Sequence, residues 1–235
     1  MYELTKLQVT TALYRNVDVY CRLDTNDMGV VYACMTFDEY KSKIIPYQDN
    51  DVFIDIGCHI GTWSLLMATY NPTFKVYSYD PVPENIEVLQ KNIELNHLTN
   101  IKLYCMAIET DTLYIPNNPD AKFVVNPMGS GTNQQSFKSP IITIPDIFKD
   151  NNIDRVHVMK IDCEGCEIKA FLNTPIDILR RIDYIVGEFH PWGIGFKQFC
   201  LMFELDFINK SDLLERVNGK KDDELRFFFF QNRKV

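Results

Sequence analysis

Strand-like runs that alternate with helix-like runs restrict this chain more than any other feature. "DVFIDIG" (51–57) is β-rich and ends in glycine, and "TWSLLMATY" follows it with helical apolar spacing until Asn71-Pro72 stops it. "FKVYSYD" (74–80) is again strand. "PENIEVLQKNIELNHL" then sets Ile86, Leu89, Ile93 and Leu95 at helical spacing, with Asn96 at the C-terminal end. "NIKLYCMAI" (100–108), "RVHVMKID" (155–162) and "RIDYIVGEFH" (181–190) read as three more strands, with a helix at 166–172 between the last two. This alternation predicts an α/β fold, a mostly parallel sheet with helices on both faces, whose ligands sit at the carboxyl ends of the strands. In the tail, "GFKQFCLMFEL" reads as helix and "ELRFFFFQNR" as a strand buried on both faces. The beginning differs in texture. "VDVYCRLD" and "GVVYACMTFDEY" read as two short strands around Asn26-Asp27-Met28-Gly29, so residues 1–50 are expected to form a β-rich extension ahead of an α/β domain at 51–235.

Charge and composition narrow the partners. A net charge of −8 disfavours tracking of a polyphosphate backbone, so RNA and DNA are not expected as substrates. The N-terminal stretch has no apolar h-region or small-residue cleavage site, and no apolar run approaches the ~20 residues that span a bilayer. The expectation is a soluble, cytoplasmic protein with no membrane partner. Seven cysteines, an odd number in a chain large enough to build its own core, suit reduced thiols better than a disulfide framework.

The strongest local signal lies in "FIDIGCHIGTW". Asp55 ends the strand, and Gly57 and Gly61 flank the turn into the next helix. Gly57 lets backbone approach a ligand, Gly61 allows tight packing at the helix start, and the helix N-terminus offers N–H donors. The spacing D-x-G-x-x-x-G is not G-x-G-x-x-G, which argues against a pyrophosphate on this turn. Asp80, at the end of the second strand, stands where an acidic side chain accepts hydrogen bonds from ribose hydroxyls. Asp55 and Asp80 together suit a ribose-bearing ligand without a diphosphate. S-adenosylmethionine meets those demands.

"DVFIDIGCHIGTWSLLMA", "KVYSYDPVPENIEVLQKNIELN", "VHVMKIDCEGCEIKAFL" and "IDYIVGEFH" resemble, in this order, the blocks of the FkbM-type methyltransferases, class I S-adenosylmethionine-dependent enzymes that mostly methylate hydroxyl oxygens. The resemblance implies a Rossmann-like seven-stranded sheet whose last strand is antiparallel, with a weakly marked strand near 205–210. It makes Asp55, Gly57 and Gly61 the grip on the methionine part of the cofactor and Asp80 the ribose anchor. Asn85, Ala107 and Ile108 are implied along the cofactor's edges, and the loop "NPMGSGTNQQS" (126–136) is either an approach to the cofactor or a hairpin tip. The family commonly has Ala-Asn where this chain has Cys58-His59, so His59 must replace any hydrogen bond made by that Asn or leave it unmade.

Methyl transfer is an in-line displacement that needs a nucleophile held close to the methyl group, and a hydroxyl nucleophile must lose its proton. Candidates end the fourth and fifth strands: Asp162 and Glu164 on one, Glu188 and His190 on the other. Residues i and i+2 of an extended segment point to one side, so each pair is expected to face the cleft. His190 has the best-matched pKa for a general base, Asp162 would orient the hydroxyl or the imidazole, and Glu164 and Glu188 would bind. Capping is the plainer reading of the two glutamates. Asp162, Glu188 and His190 are also a ligand set for a divalent ion, but carboxylates accept hydrogen bonds equally well without one, and no metal is expected. Trp63, Tyr79, Phe189 and Trp192 either wall the pocket or fill the core. Cys163 and Cys166, in C-x-x-C spacing, are expected to pack as small hydrophobes. The acceptor is expected to be a small-molecule or glycan hydroxyl, and the N-terminal extension to shape its pocket or a homodimer contact. A nicotinamide-dependent oxidoreductase, a non-catalytic cofactor-binding domain and a zinc or redox protein are the competing readings.

Overall fold

The computed structural model describes residues 2–115, 123–127, 135–191, 193–211 and 226–235. The chain opens with a hairpin, β1 (Leu4–Thr10) and β2 (Asn16–Arg22), and a helical segment, α1 (Asp27–Val31), that continues into a π-helical turn at Tyr32–Thr36. β3 (Val52–Ile56), α2 (Thr62–Tyr70), β4 (Lys75–Tyr79), α3 (Pro83–Leu95) and β5 (Ile101–Tyr104) follow. Four short strands come next: β6 (Ala107–Ile108), β7 (Thr112–Tyr114), β8 (Ser136–Lys138) and β9 (Ile141–Ile142). The remainder is α4 (Ile144–Asp150), β10 (Val156–Ile161), α5 (Glu167–Leu172), α6 (Ile176–Leu179), β11 (Ile182–Phe189), α7 (Phe196–Leu201), β12 (Phe207–Asn209) and β13 (Arg226–Asn232).

Seven of these strands form one sheet in the order β12-β13-β11-β10-β3-β4-β5. The pairs from β11 through β5 are parallel, and β13 runs antiparallel to both β11 and β12. β3, β10 and β11 are almost wholly buried, as near-continuous apolar runs in a sheet covered on both faces must be. The four phenylalanines of β13 divide between the faces. Phe228 and Phe230 join the core cluster under α5 and α7, and Phe227 and Phe229 join the one under α2.

Register decides what the sheet presents at its carboxyl edge. Ile56 pairs with both Ile161 and Tyr79, and Ile161 pairs with Gly187, so β3, β4 and β10 stop level with one another while β11 runs two residues further along β13. Gly57, Asp80, Asp162 and Glu188 are the residues that come next. They gather on one edge because the register sets them level.

The N-terminal segment departs from expectation. "GVVYACMTFDEY" is expected as a strand and is helical through Thr36, because Val31, Cys34 and Met35 recur at i, i+3 and i+4 and are buried, Val31 and Met35 with the hairpin and α2, Cys34 with the apolar side of α2. β2 pairs instead with β1 (Leu4–Thr10). The free edge of β2 is covered by side chains of α3. Asn92 accepts from the Tyr20 N–H and donates to the Tyr20 carbonyl, and Asn96 does the same for Asp18, so two side-chain amides act as a neighbouring strand. The run 100–108 also divides. β5 stays in the main sheet, and Ala107–Ile108 leaves it to pair with β9, with the Ala107 N–H donating to the Pro140 carbonyl. Among the described residues no helix is long and apolar enough to cross a membrane.

Candidate active site

A cavity lies over the carboxyl edge, walled on one side by the turns after β3, β4 and β10 and on the other by the N-terminal segment. Its walls include Gly57, His59, Asp80, Asn85, Ala107 and Ile108, the residues the family resemblance placed along a cofactor. Asp80 organises this part of the wall. Its Oδ1 accepts from the Val82 N–H and from Asn85 Nδ2, and its Oδ2 accepts from the His59 N–H, each at 2.9 Å. Burial pushes its carboxyl up to about 6, against those three bonds. Asn85 Nδ2 also donates to the Phe123 carbonyl, while its buried Oδ1 has no hydrogen-bond partner among the described residues.

Asp55 and Gly61 are placed otherwise than expected. Asp55 is fully buried and absent from the cavity wall; Ser64 Oγ donates to its Oδ2 at 2.6 Å and Lys160 Nζ lies 3.1 Å from its Oδ1. It therefore fixes Lys160, whose ammonium also donates to the Gly57 carbonyl at 2.7 Å, and is not itself a contact surface. Burial alone would lower the Lys160 pKa, but Asp55 and Asp162 outweigh it and raise it, so the amine stays charged. Gly61 serves packing, since a Cβ there would meet the Leu89 side chain at 2.0 Å. Gly57 takes φ +72°, and the space a Cβ would fill is occupied by the Asp162 backbone carbonyl at 1.8 Å rather than by a ligand. The glycine lets the turns after β3 and β10 touch.

His59 does not act as a free substitute for Asn. Its Nε2 lies 2.8 Å from Arg22 Nη2, and Arg22 is itself fully buried and bidentate to Asp27. Burial lowers the imidazole to about 4. The ring is therefore neutral, with Nε2 accepting from the guanidinium and the proton on Nδ1. This knot ties the N-terminal segment to the glycine turn, and Thr25, Asn26 and Asp27 complete the wall beside it.

The carboxylates meet at the other end of the cavity. Asp162 Oδ2 accepts the Tyr40 hydroxyl at 2.7 Å, and Glu39, Tyr40, Lys160, Asp162 and Glu164 all face the cavity. Glu188 and His190 lie just behind, with one ligand atom from each of Asp162, Glu188 and His190 within 4.8 Å of one another. Glu164 reaches this place by a turn with φ +58°, and not along an extended strand. It does not cap α5. The fully buried Glu167 takes the local N–H groups instead, its Oε1 accepting from Cys163 N and Gly165 N as well as from His190 Nδ1 at 3.0 Å. His190 Nε2 stands 3.2 Å from Glu164 Oε2. Burial opposes the charge on this ring, but the bonds to Glu164 and Glu167 outweigh it and raise the pKa to about 11. In this arrangement the ring is an imidazolium and has no lone pair to offer as a base. Glu188 is pushed up to about 8 by burial and then by the Asp162 charge beside it.

Cys163 and Cys166 are joined in a disulfide, which corrects the expectation of small packed hydrophobes. Glu164 and Gly165 both take positive φ, and that tight turn brings the two Cα atoms to 5.5 Å, within bridging range. The other five cysteines are free. Tyr79 lines the cavity, Trp63 and Phe189 are core, and Trp192 and residues 128–134 of the "NPMGSGTNQQS" loop lie outside the described residues. Sequence reasoning missed Tyr40, Arg22 and Lys160 as site-forming residues. Lys160 carried a signal, a lone cation inside the otherwise buried run VHVMKI.

A seven-stranded sheet with one reversed strand, a glycine turn after β3 and an acid closing β4 defines a Rossmann-like methyltransferase. Residues 55–232 match the methyltransferase FkbM domain, and the chain belongs to that family. It is 26% identical to methyltransferase sdnD of Sordaria araneosa over 191 residues, covering 67% of this chain and 74% of that protein. Against methyltransferase 1 of Beauveria bassiana it is 21% identical over 172 residues, 62% of this chain and 67% of the relative. The crystal structure of a SAM-dependent methyltransferase from Agrobacterium tumefaciens superposes with a TM-score of 0.50 at 12% identity, over 97% of this chain and 69% of the other, a likeness of fold.

Proposed function

We propose that the protein transfers the methyl group of S-adenosylmethionine to a hydroxyl oxygen of a small molecule or sugar. The observation that carries this reading is one continuous cavity with Asp80 and Asn85 at one end and Asp162 at the other. Asp80 keeps one lone-pair site, on Oδ2, beyond those taken by its three donors, and the orphaned Asn85 Oδ1 is a further acceptor; together they suit the two hydroxyls of a ribose. The sulfonium then faces the turn after β10. An acceptor hydroxyl attacks the methyl carbon in line, the C–S bond breaks as the C–O bond forms, and the hydroxyl proton passes to a carboxylate. Asp162 is the group placed for that transfer, positioned by the Tyr40 hydroxyl, while His190 and Lys160 stay cationic and shape the field around it.

Calorimetric titration tests the reading. S-adenosylhomocysteine should bind at one per chain and NADH should not; tight NADH binding with no S-adenosylhomocysteine binding would sink it in favour of an oxidoreductase. The pH dependence is a second check. With Asp80 titrating near 6 and only its ionised form accepting the ribose bonds, affinity should fall about tenfold from pH 7 to pH 5. Asp80→Asn should bind weakly at both pH values and lose that slope.

A further inference from the structure

The acidic end of the cavity carries more anionic groups than the chemistry above uses. We propose that Asp162, Glu188 and His190 form a binding site for one divalent first-row metal ion. Three ligand atoms of the types such ions take, two carboxylate oxygens and an imidazole nitrogen, lie within 4.8 Å of one another, a spread that a small side-chain shift closes to what one ion with bonds of about 2.0–2.2 Å can span. They come from two adjacent strands in fixed register, Asp162 just after the Ile161–Gly187 pair on β10, Glu188 within β11 and His190 just after it, so the sheet fixes their spacing.

Two features around the trio suit an ion better than a set of mutual hydrogen bonds. The buried Glu167 Oε1 accepts the Nδ1 proton of His190, the arrangement by which outer carboxylates orient metal-bound histidines, and leaves Nε2, which faces Glu164 in the metal-free site, as the nitrogen that ligates once the ion displaces its proton. The second oxygen of the same fully buried carboxylate, Oε2, has no hydrogen-bond partner among the described residues, an acceptor that a water carried by the ion would satisfy. Glu164 Oε2, now 3.2 Å from Nε2, is half exposed at 40% and can swing aside or join the ion as a fourth ligand. An organic ammonium would also answer the negative charge, but an imidazole nitrogen is a ligand for metals and a poor partner for a cation that only donates. Because Asp162 faces the cavity, an ion there would have open positions toward the acceptor hydroxyl and would make its proton easier to remove. That catalytic consequence rests on the methyltransferase reading; the binding itself does not.

The test uses the full chain, stripped with chelator and kept oxidised, titrated with Mn²⁺ and followed by the electron paramagnetic resonance of the free ion. One ion per chain is expected. Glu188→Gln and His190→Ala should each weaken binding at least tenfold, Glu167→Gln by about ten- to a hundredfold, and Asp111→Asn, on the surface, not at all. S-adenosylhomocysteine binding to the stripped protein and to each variant reports folding and the cofactor site independently of the metal. The proposal is overturned if no Mn²⁺ binds, or if Glu188→Gln and His190→Ala leave its affinity unchanged in folded protein. It is equally overturned if binding disappears only when Cys163 and Cys166 are both changed to Ser, which would make the thiols the site. Manganese binding without S-adenosylhomocysteine binding would keep the metal site and remove the methyltransferase reading instead.

Discussion

An Asp162→Asn protein is expected to bind S-adenosylhomocysteine with near-normal affinity and to transfer methyl groups about 10² to 10⁴ times more slowly, the range for loss of a general base. Asn keeps the size of the side chain and can still meet the Tyr40 hydroxyl, so the turn after β10 and the backbone contact with Gly57 should survive. What disappears is the carboxylate that takes the proton. Single-turnover kinetics at saturating cofactor, compared with calorimetric affinity, separates the two. A loss of less than about fivefold, well below the range cited for such a base, would move the base elsewhere, with Glu188, pushed up to about 8, next in place.

Gly57→Ala should cost about 4 kcal/mol or more of stability, and Gly61→Ala clearly less, though both glycines sit in the left-handed region. The difference lies in what stands opposite. At Gly61 a methyl group meets the end of the Leu89 side chain, which can rotate away. At Gly57 it meets the Asp162 carbonyl, whose own peptide chain is tied back by the Asp162 N–H to Ile56 at 3.1 Å. Relief there would require β3 and β10 to separate at the edge that carries the site. Urea denaturation of the two variants side by side decides it, and equal losses would show that the backbone contact has no special weight.

The α/β core was legible because its signals are local. The runs 51–57, 74–80, 155–162 and 181–190 are apolar, β-rich and bounded by turn residues, and each falls on a strand of the sheet. Asp80 was picked out by the same local logic, an acid at a strand end, whereas Asn85, inside α3, came only from the family resemblance. Asp55 was misread because spacing says where a carboxylate starts and nothing about a lysine that approaches from another strand; Lys160 turns it inward. His190 was misread likewise, since a typical imidazole pKa holds only until two carboxylates close on the ring. The helical turn at 27–36 was hidden by its β-branched and aromatic residues, whose propensity gave way to the packing of Val31, Cys34 and Met35. No pattern within the chain announces that Tyr40 meets Asp162.

That hydrogen bond joins residues 122 apart in sequence, and the amide contacts of Asn92 and Asn96 with β2 join residues 72 and 78 apart. Bonds across such spans form only after the chain between them has been brought to order, whereas β3, α2, β4 and α3 are neighbours that can find one another early. A working cavity in a newly made chain is therefore expected to wait on two long returns, that of β10 onto β3, which pairs Ile161 with Ile56, and that of the first forty residues onto the sheet so completed.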